Sequence, residues 1–137
     1  MPSFERSRAS LRVTGDALVP EEISRLLGTE ATQAQRKGDD IIGASSGQVR
    51  IAKIGMWRLI AESREPEDLG DQIDELLGKL TDDLAVWAKI RETCCIDLFC
   101  GLFMGSGNDG ISLLPRHLLL LGERGIELGL DVYDCSN

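Results

Sequence analysis

The sequence predicts an α+β domain: a mainly antiparallel sheet of about five strands, helices mostly on one face, broadly ferredoxin-like. The expected order is β-α-β-β-α-β-α-β, over residues 1–137 as a single domain with no linker. Three observations carry this reading. A β-looking run leading to a proline-started helix occurs twice, with Pro20 and Pro115 ninety-five positions apart. Several runs alternate apolar and polar residues with the period of two that a half-buried strand requires. One long stretch instead spaces its apolar residues by three and four, the spacing of a helix with one buried stripe.

The first strand, near Ala9 to Thr14, sends Ala9, Leu11 and Val13 one way and Arg8, Ser10, Arg12 and Thr14 the other. After Gly15-Asp16 the first helix starts at Pro20, presents Ile23, Leu26 and Leu27, and ends at Gly28, which suits a left-handed cap. Residues 29–47 are polar and glycine-bearing and read as a long excursion, the expected mobile region. Strands follow at about 48–54 and 56–63, with Gly55 as the bend or hairpin marker between them. Glu65-Pro66-Glu67-Asp68 then opens the longest helix, whose stripe runs through Leu69, Ile73, Leu76, Leu77, Leu80, Leu84 and Trp87. Thr93 to Met104 is the most apolar strand and is expected at the sheet centre. The third helix runs from Pro115 to Arg124-Gly125. The last strand sets Ile126, Leu128, Leu130 and Val132 against Glu127, Gly129, Asp131 and Tyr133.

A chain of 137 residues with 42% hydrophobic residues can bury a core without staples. Its net charge of −8 repels phosphate backbones and anionic lipid, so neither nucleic acid nor a membrane is an expected partner. No run approaches the roughly 20 apolar residues of a membrane span. Met1-Pro2-Ser3-Phe4-Glu5-Arg6 lacks the apolar stretch of a secretory signal, so the expected location is the cytoplasm. Cys94, Cys95, Cys100 and Cys135 have neither disulfide-framework nor zinc-knuckle spacing and are expected to be reduced thiols.

The order of short motifs is also informative. It runs from Ser10-Leu11-Arg12-Val13-Thr14-Gly15 through Leu27-Gly28, Arg36-Lys37-Gly38-Asp39, and Gly55-Met56-Trp57 with Ser63. It continues through Asp97-Leu98-Phe99-Cys100-Gly101 and Asn108-Asp109-Gly110 to Arg124-Gly125-Ile126-Glu127-Leu128. This series resembles the bacterial domain-of-unknown-function family 4279 from about Ala9 to Tyr133. The resemblance implies a small cytoplasmic bacterial protein. It carries over no reaction, cofactor or catalytic residue, because the family's function is not established.

Gly105-Ser106-Gly107-Asn108-Asp109-Gly110 is a literal G-x-G-x-x-G after an apolar strand. A dinucleotide site needs a helix N-terminus at those glycines, whereas Pro115 stands five residues past Gly110, so a flexible strand-to-helix loop is expected. His117, the sole imidazole, is expected to face solvent or an interface. Asp39-Asp40, Asp82-Asp83 and Glu21-Glu22 read as solvated charge, Trp57 and Trp87 as core anchors, and Lys37-Gly38 as a turn. No catalytic residue, metal ligand or cofactor is assigned.

If helices cover one side of the sheet, the other presents Arg12, Arg50, Arg58, Asp97, Phe99, Phe103, Asp131 and Tyr133. Arginine and aromatic side chains are the types that carry interface energy. That face is read as a binding surface, as a self-association surface, or as covered by the 29–47 excursion. The first functional reading is therefore a non-catalytic protein-binding module of the neutralising, immunity type, engaging another protein (a basic one complementing the charge) or a second copy of itself. The second is a small-molecule-binding regulatory domain with Arg36, Lys37, Gly38, Gly105, Gly107 and Asn108 as contacts. An enzyme with a site assembled from dispersed residues is the third.

Overall fold

The computed structural model describes residues 2–134. The chain runs β1 (Arg6–Gly15), α1 (Pro20–Leu27), β2 (Gln33–Gln35), β3 (Asp40–Ile42), β4 (Val49–Ile51), β5 (Gly55–Ile60), α2 (Leu69–Gly78), α3 (Leu84–Arg91), β6 (Cys95–Phe103), α4 (Pro115–Glu123) and β7 (Glu127–Tyr133). The main sheet has the order β2-β5-β1-β6-β7. All its pairings are antiparallel except β6 with β7, which the crossover helix α4 makes parallel. The α+β class holds, as does the ferredoxin-like layout in broad outline.

The repeated unit of the sequence is real. Both α1 and α4 carry proline in the first turn, where the missing N–H costs nothing. Gly28 (φ 83°) and Gly125 (φ 68°) follow the two helices in the left-handed conformation. The core lies between the helices and one sheet face: Ala9, Leu11 and Val13 of β1, Trp57 and Leu59 of β5, and Ile96, Leu98 and Cys100 of β6 are all buried there. Ile23, Leu27, Leu69, Ile73, Leu76 and Trp87 meet them from the helices.

Several expectations about elements are corrected. The long helix is two helices, with the break at residues 79–83. Asp83 caps α3 by accepting from the Ala85 N–H at 3.0 Å, and Trp87 Nε1 donates to the Thr81 carbonyl at 2.9 Å, which fixes the linker. Leu80 and Trp87 stay buried, so the core side continues past the break, but Leu84, expected in the same stripe, is exposed at the start of α3. Pro66 lies ahead of the helix, whose cap is Asp68, accepting from the Asp71 N–H at 3.1 Å.

The excursion is also ordered differently. Its Gln33–Gln35 segment is the edge strand of the main sheet, and its Asp40–Ile42 segment pairs with β4 in a separate two-stranded sheet. The expected strand at 48–54 therefore lies outside the main sheet. Gly55 is no hairpin marker; it pairs with Gly15, where an added Cβ would sit 2.6 Å from the Gly15 carbonyl oxygen.

Candidate functional site

Register builds a depression in the sheet face opposite the helices. On β1 this face carries Arg6, Arg8, Ser10 and Arg12, alternating with the buried Ser7, Ala9, Leu11 and Val13. Ser10 stands between Ile60 of β5 and Phe99 of β6, Arg8 beside Gly101, and Arg6 beside Phe103. One strand further, Phe99 meets Gly129, Gly101 meets Asp131 and Phe103 meets Tyr133. Small residues at Ser10 and Gly101 thus form a floor among tall neighbours. The result is a pocket of about 500 Å³, walled by Arg8, Arg58, Ile60, Phe99, Phe103 and Tyr133, with Ser63 at its rim. That volume falls within the range of small-molecule sites.

Cations and rings interleave across this face. The Arg6 guanidinium lies 4.0 Å from the Phe103 ring centre, Arg8 5.6 Å from the same ring, and Arg12 4.6 Å from Phe99. Phe103 and Tyr133 stack with centres 4.8 Å apart. Hydrogen bonding to Asp131 holds the Tyr133 phenol above its usual pKa. Arg12 forms a two-point pair with Asp97, Nε to Oδ1 at 2.8 Å and Nη2 to Oδ2 at 2.5 Å, which neutralises that end of the face. Arg58 is placed differently. Its Nη1 reaches only Gln33 Oε1 at 3.4 Å, and its Nε–H is buried without an acceptor among the described residues.

Of the residues assigned to this face from sequence, Arg12, Arg58, Asp97, Phe99, Phe103, Asp131 and Tyr133 are brought together on it. Arg50 is not: it lies on β4, paired with Ile41 in the small sheet. Alternation assigns a residue to one side of a strand but not to a sheet. The 29–47 excursion does not roof the face, since β2 extends the sheet sideways beside β5. Arg8, Ser10, Ile60 and Gly101 were missed as site residues, although Arg8 and Ser10 share the strand parity of Arg12.

The alternative loop site is not assembled. Lys37 pairs with Asp16, beyond the end of β1, and Arg36 with Glu21 of α1. Gly105 packs on Glu5, before the start of β1, so the two loops stand apart by roughly 30 Å of strand. Gly38 is a left-handed turn residue. In the Gly105–Asn108 loop, the Gly105 and Ser106 N–H groups both donate to Asp109 Oδ2, at 2.9 and 3.2 Å. Those two donors are thereby occupied by the loop's own carboxylate, and the Asn108 N–H donates to Ser106 Oγ at 3.4 Å.

His117 is buried rather than solvent-facing, at 4% exposure. Its Nε2 lies 3.2 Å from Asp74 Oδ1 and its ring packs on Gly70, where an added Cβ would stand 2.8 Å from Cε1. Arg116 donates two bonds to the same carboxylate, at 2.9 and 2.8 Å, and holds the Asp74 pKa below its ordinary 3.8, with His117 adding to the effect. A carboxylate with a lowered folded pKa stabilises fully above its unfolded value and loses that contribution as pH falls through the folded one. Asp74→Asn is therefore expected to flatten the acid limb of stability against pH, below the ordinary aspartate value. Urea melts of both proteins across that range check this; parallel curves would show that the pair contributes nothing.

Trp57 and Trp87 are core anchors, both fully buried. Cys94, Cys95 and Cys100 are free thiols, and burial pushes Cys100 up to about 12; Cys135 lies outside the described residues. Among the described residues no His, Cys, Asp or Glu cluster has metal-binding geometry, and no helix is long and apolar enough to cross a membrane.

A family model described as Domain of unknown function (DUF4279) matches residues 5–135, and the chain belongs to that family. No curated protein and no solved structure matches it.

Proposed function

We propose that this member of the family is a non-catalytic binding module whose ligand, a small molecule, sits in the open-face pocket above Ser10 and Gly101. The observation that carries the reading is the convergence of Arg8, Arg58, Ser10 and three aromatic rings on one concave site in an otherwise acidic chain. Apolar walls with a few placed polar groups are the usual composition of a ligand site. Its polar groups suit holding rather than chemistry, because guanidinium does not exchange protons near neutral pH and an unassisted serine is a weak nucleophile. The imidazole and the buried thiol lie elsewhere: His117 against α2, Cys100 on the helix-covered sheet face. Free Cys94 and exposed Cys95 support a reducing compartment, the cytoplasm.

A protein partner is the second reading, favoured by the arginine–aromatic lattice reaching past the pocket to Arg6 and Arg12. Such a partner would insert an acidic or aromatic side chain here. A basic target, suggested by net charge alone, would have to dock on another surface.

The test is pocket filling. A Cβ at Gly101 meets Phe103, Tyr133 and Arg8 at 3.5–3.9 Å, ordinary contact, so a larger side chain there grows into the pocket. In a thermal-shift screen of metabolites, a binder should raise the wild-type Tm with concentration, and the rise should vanish in Gly101→Leu. A shift preserved in the filled variant would place the ligand elsewhere.

A further inference from the structure

The geometry points to a chemical class of ligand: a small monocarboxylate with a flat apolar body, its acid group held by Arg58 and the Ser10 hydroxyl. This rests on the pocket being the ligand site, and it adds which end of the ligand goes where.

The charge balance comes first. Two guanidiniums, Arg8 and Arg58, two serine hydroxyls, Ser10 and Ser63, and the Tyr133 phenol line the pocket, and no carboxylate does; Asp131 is hydrogen-bonded to that phenol from outside the lining. Elsewhere on the same face, Arg12 is neutralised by Asp97 at hydrogen-bond distance. No carboxylate of the described residues stands within salt-bridge distance of Arg58, whose side-chain partner is the neutral amide of Gln33. Its Nε–H is nonetheless buried and unpaired. A buried charged donor without an acceptor is uncommon, because it loses its water and gains nothing in return. Ser10, 3% exposed, adds a second polar group from the pocket floor, one strand away. A carboxylate supplies two acceptor oxygens at one end of a molecule, which a guanidinium N–H and a hydroxyl can share.

The shape gives the remainder of the ligand. The floor is the sheet itself at Ser10 and Gly101, and the depth is that of one layer of side chains, which favours a flat body lying along it. From β5, which bears Arg58, to β7, which bears Tyr133, there are three strand spacings of about 4.8 Å each. That span holds an acid group at the Arg58 end and one ring toward Phe99, Phe103 and Tyr133. Arg8, whose guanidinium already leans toward the Phe103 ring, stands over the apolar part, where a cation meets a second aromatic face favourably.

Calorimetry and thermal shift with 3-phenylpropionate, its amide 3-phenylpropionamide, and acetate make the test. The acid should bind, the amide at least tenfold more weakly, and acetate not measurably. Arg58→Gln should reduce acid binding to the level of the amide while leaving amide binding unchanged. Should Arg58→Gln fold poorly, Ser10→Ala carries the same comparison, with a smaller loss of discrimination. Equal binding of acid and amide to the wild type overturns the carboxylate assignment and leaves the pocket standing if Gly101→Leu abolishes both. Failure of the acid, alongside another compound whose binding Gly101→Leu abolishes, overturns the class alone. Acid binding that survives Gly101→Leu overturns both readings together.

Discussion

Trp57→Ala is expected to cost about 3–5 kcal/mol of unfolding free energy, the range for deleting a fully buried tryptophan. Trp57 has no solvent exposure and stands on β5 between Val13 of β1 and Ala34 of β2. Its Nε1–H donates to Ser24 Oγ on α1 at 3.0 Å, so it joins helix and sheet by packing and by a hydrogen bond. Truncation opens a cavity the width of an indole and leaves the Ser24 hydroxyl without its donor. Domains of this size are stable by only about 5–15 kcal/mol, so the loss is a large fraction of the whole. Trp57→Phe keeps a ring in place and should cost less, about 1–2 kcal/mol, dividing the hydrogen bond and the excess volume from the bulk of the packing. Urea denaturation should show a fall in midpoint at nearly constant slope. A cost below about 1 kcal/mol for the alanine variant would mean that α1 does not close over β5 as described. The next residue along is Arg58, which faces the pocket, so a loosened β5 should also weaken ligand binding.

The two faces of the sheet differ in how much of them local sequence could specify. Face membership follows from strand parity alone: Leu11 and Leu98 inward, Arg12, Phe99 and Tyr133 outward, as found. Strand membership does not. Gln33–Gln35 carries no apolar alternation because an edge strand is held by backbone bonds to β5, whereas Val49–Ile51 looks like a sheet strand and pairs only with its neighbour β3. That one substitution of strands moved Arg50 off the face. The break between α2 and α3 was hidden for a related reason: Leu80 and Trp87 remain on the core side, and apolar periodicity records the side, not the continuity of the helix.

The pocket lies further from the sequence still. Ser10 and Gly101 are unremarkable singly and form a floor only because the β1–β6 register sets them diagonally adjacent, with Phe99 and Arg8 as their direct partners. His117 shows the same limit in the core. A histidine at a helix start reads as exposed, and it is buried here because Gly70 leaves room for the ring and Asp74 meets its nitrogen.

Gln72 should prove the most consequential polar residue of the core, and its role links stability to the site. It is fully buried on α2. Its Nε2 donates to the Ser7 carbonyl at 3.0 Å and to the Glu62 carbonyl at 2.9 Å, while its Oε1 accepts from Ser7 Oγ at 2.6 Å. Ser7 Oγ in turn accepts from the Asp68 N–H at 3.2 Å, at the cap of the same helix. One amide therefore ties α2 to the start of β1 and to the segment after β5. Gln72→Leu keeps the volume but strands the buried Ser7 hydroxyl and removes two donors, for an expected loss of about 2–3 kcal/mol. Ser7→Ala should cost a similar amount, since it leaves Gln72 Oε1 and the Asp68 N–H unmet. The double variant should cost clearly less than the sum, with a coupling of about 1 kcal/mol or more, because groups bonded to each other cannot be lost twice. The tied segments carry Arg8 and Ser63, both of which line the pocket. Gln72→Leu, measured well below its melting point, should thus bind a pocket ligand several-fold more weakly although no ligand contact has been changed. Additive costs in the double variant would show that Ser7 and Gln72 act separately. Unchanged ligand affinity would show that the pocket's edge is held without them.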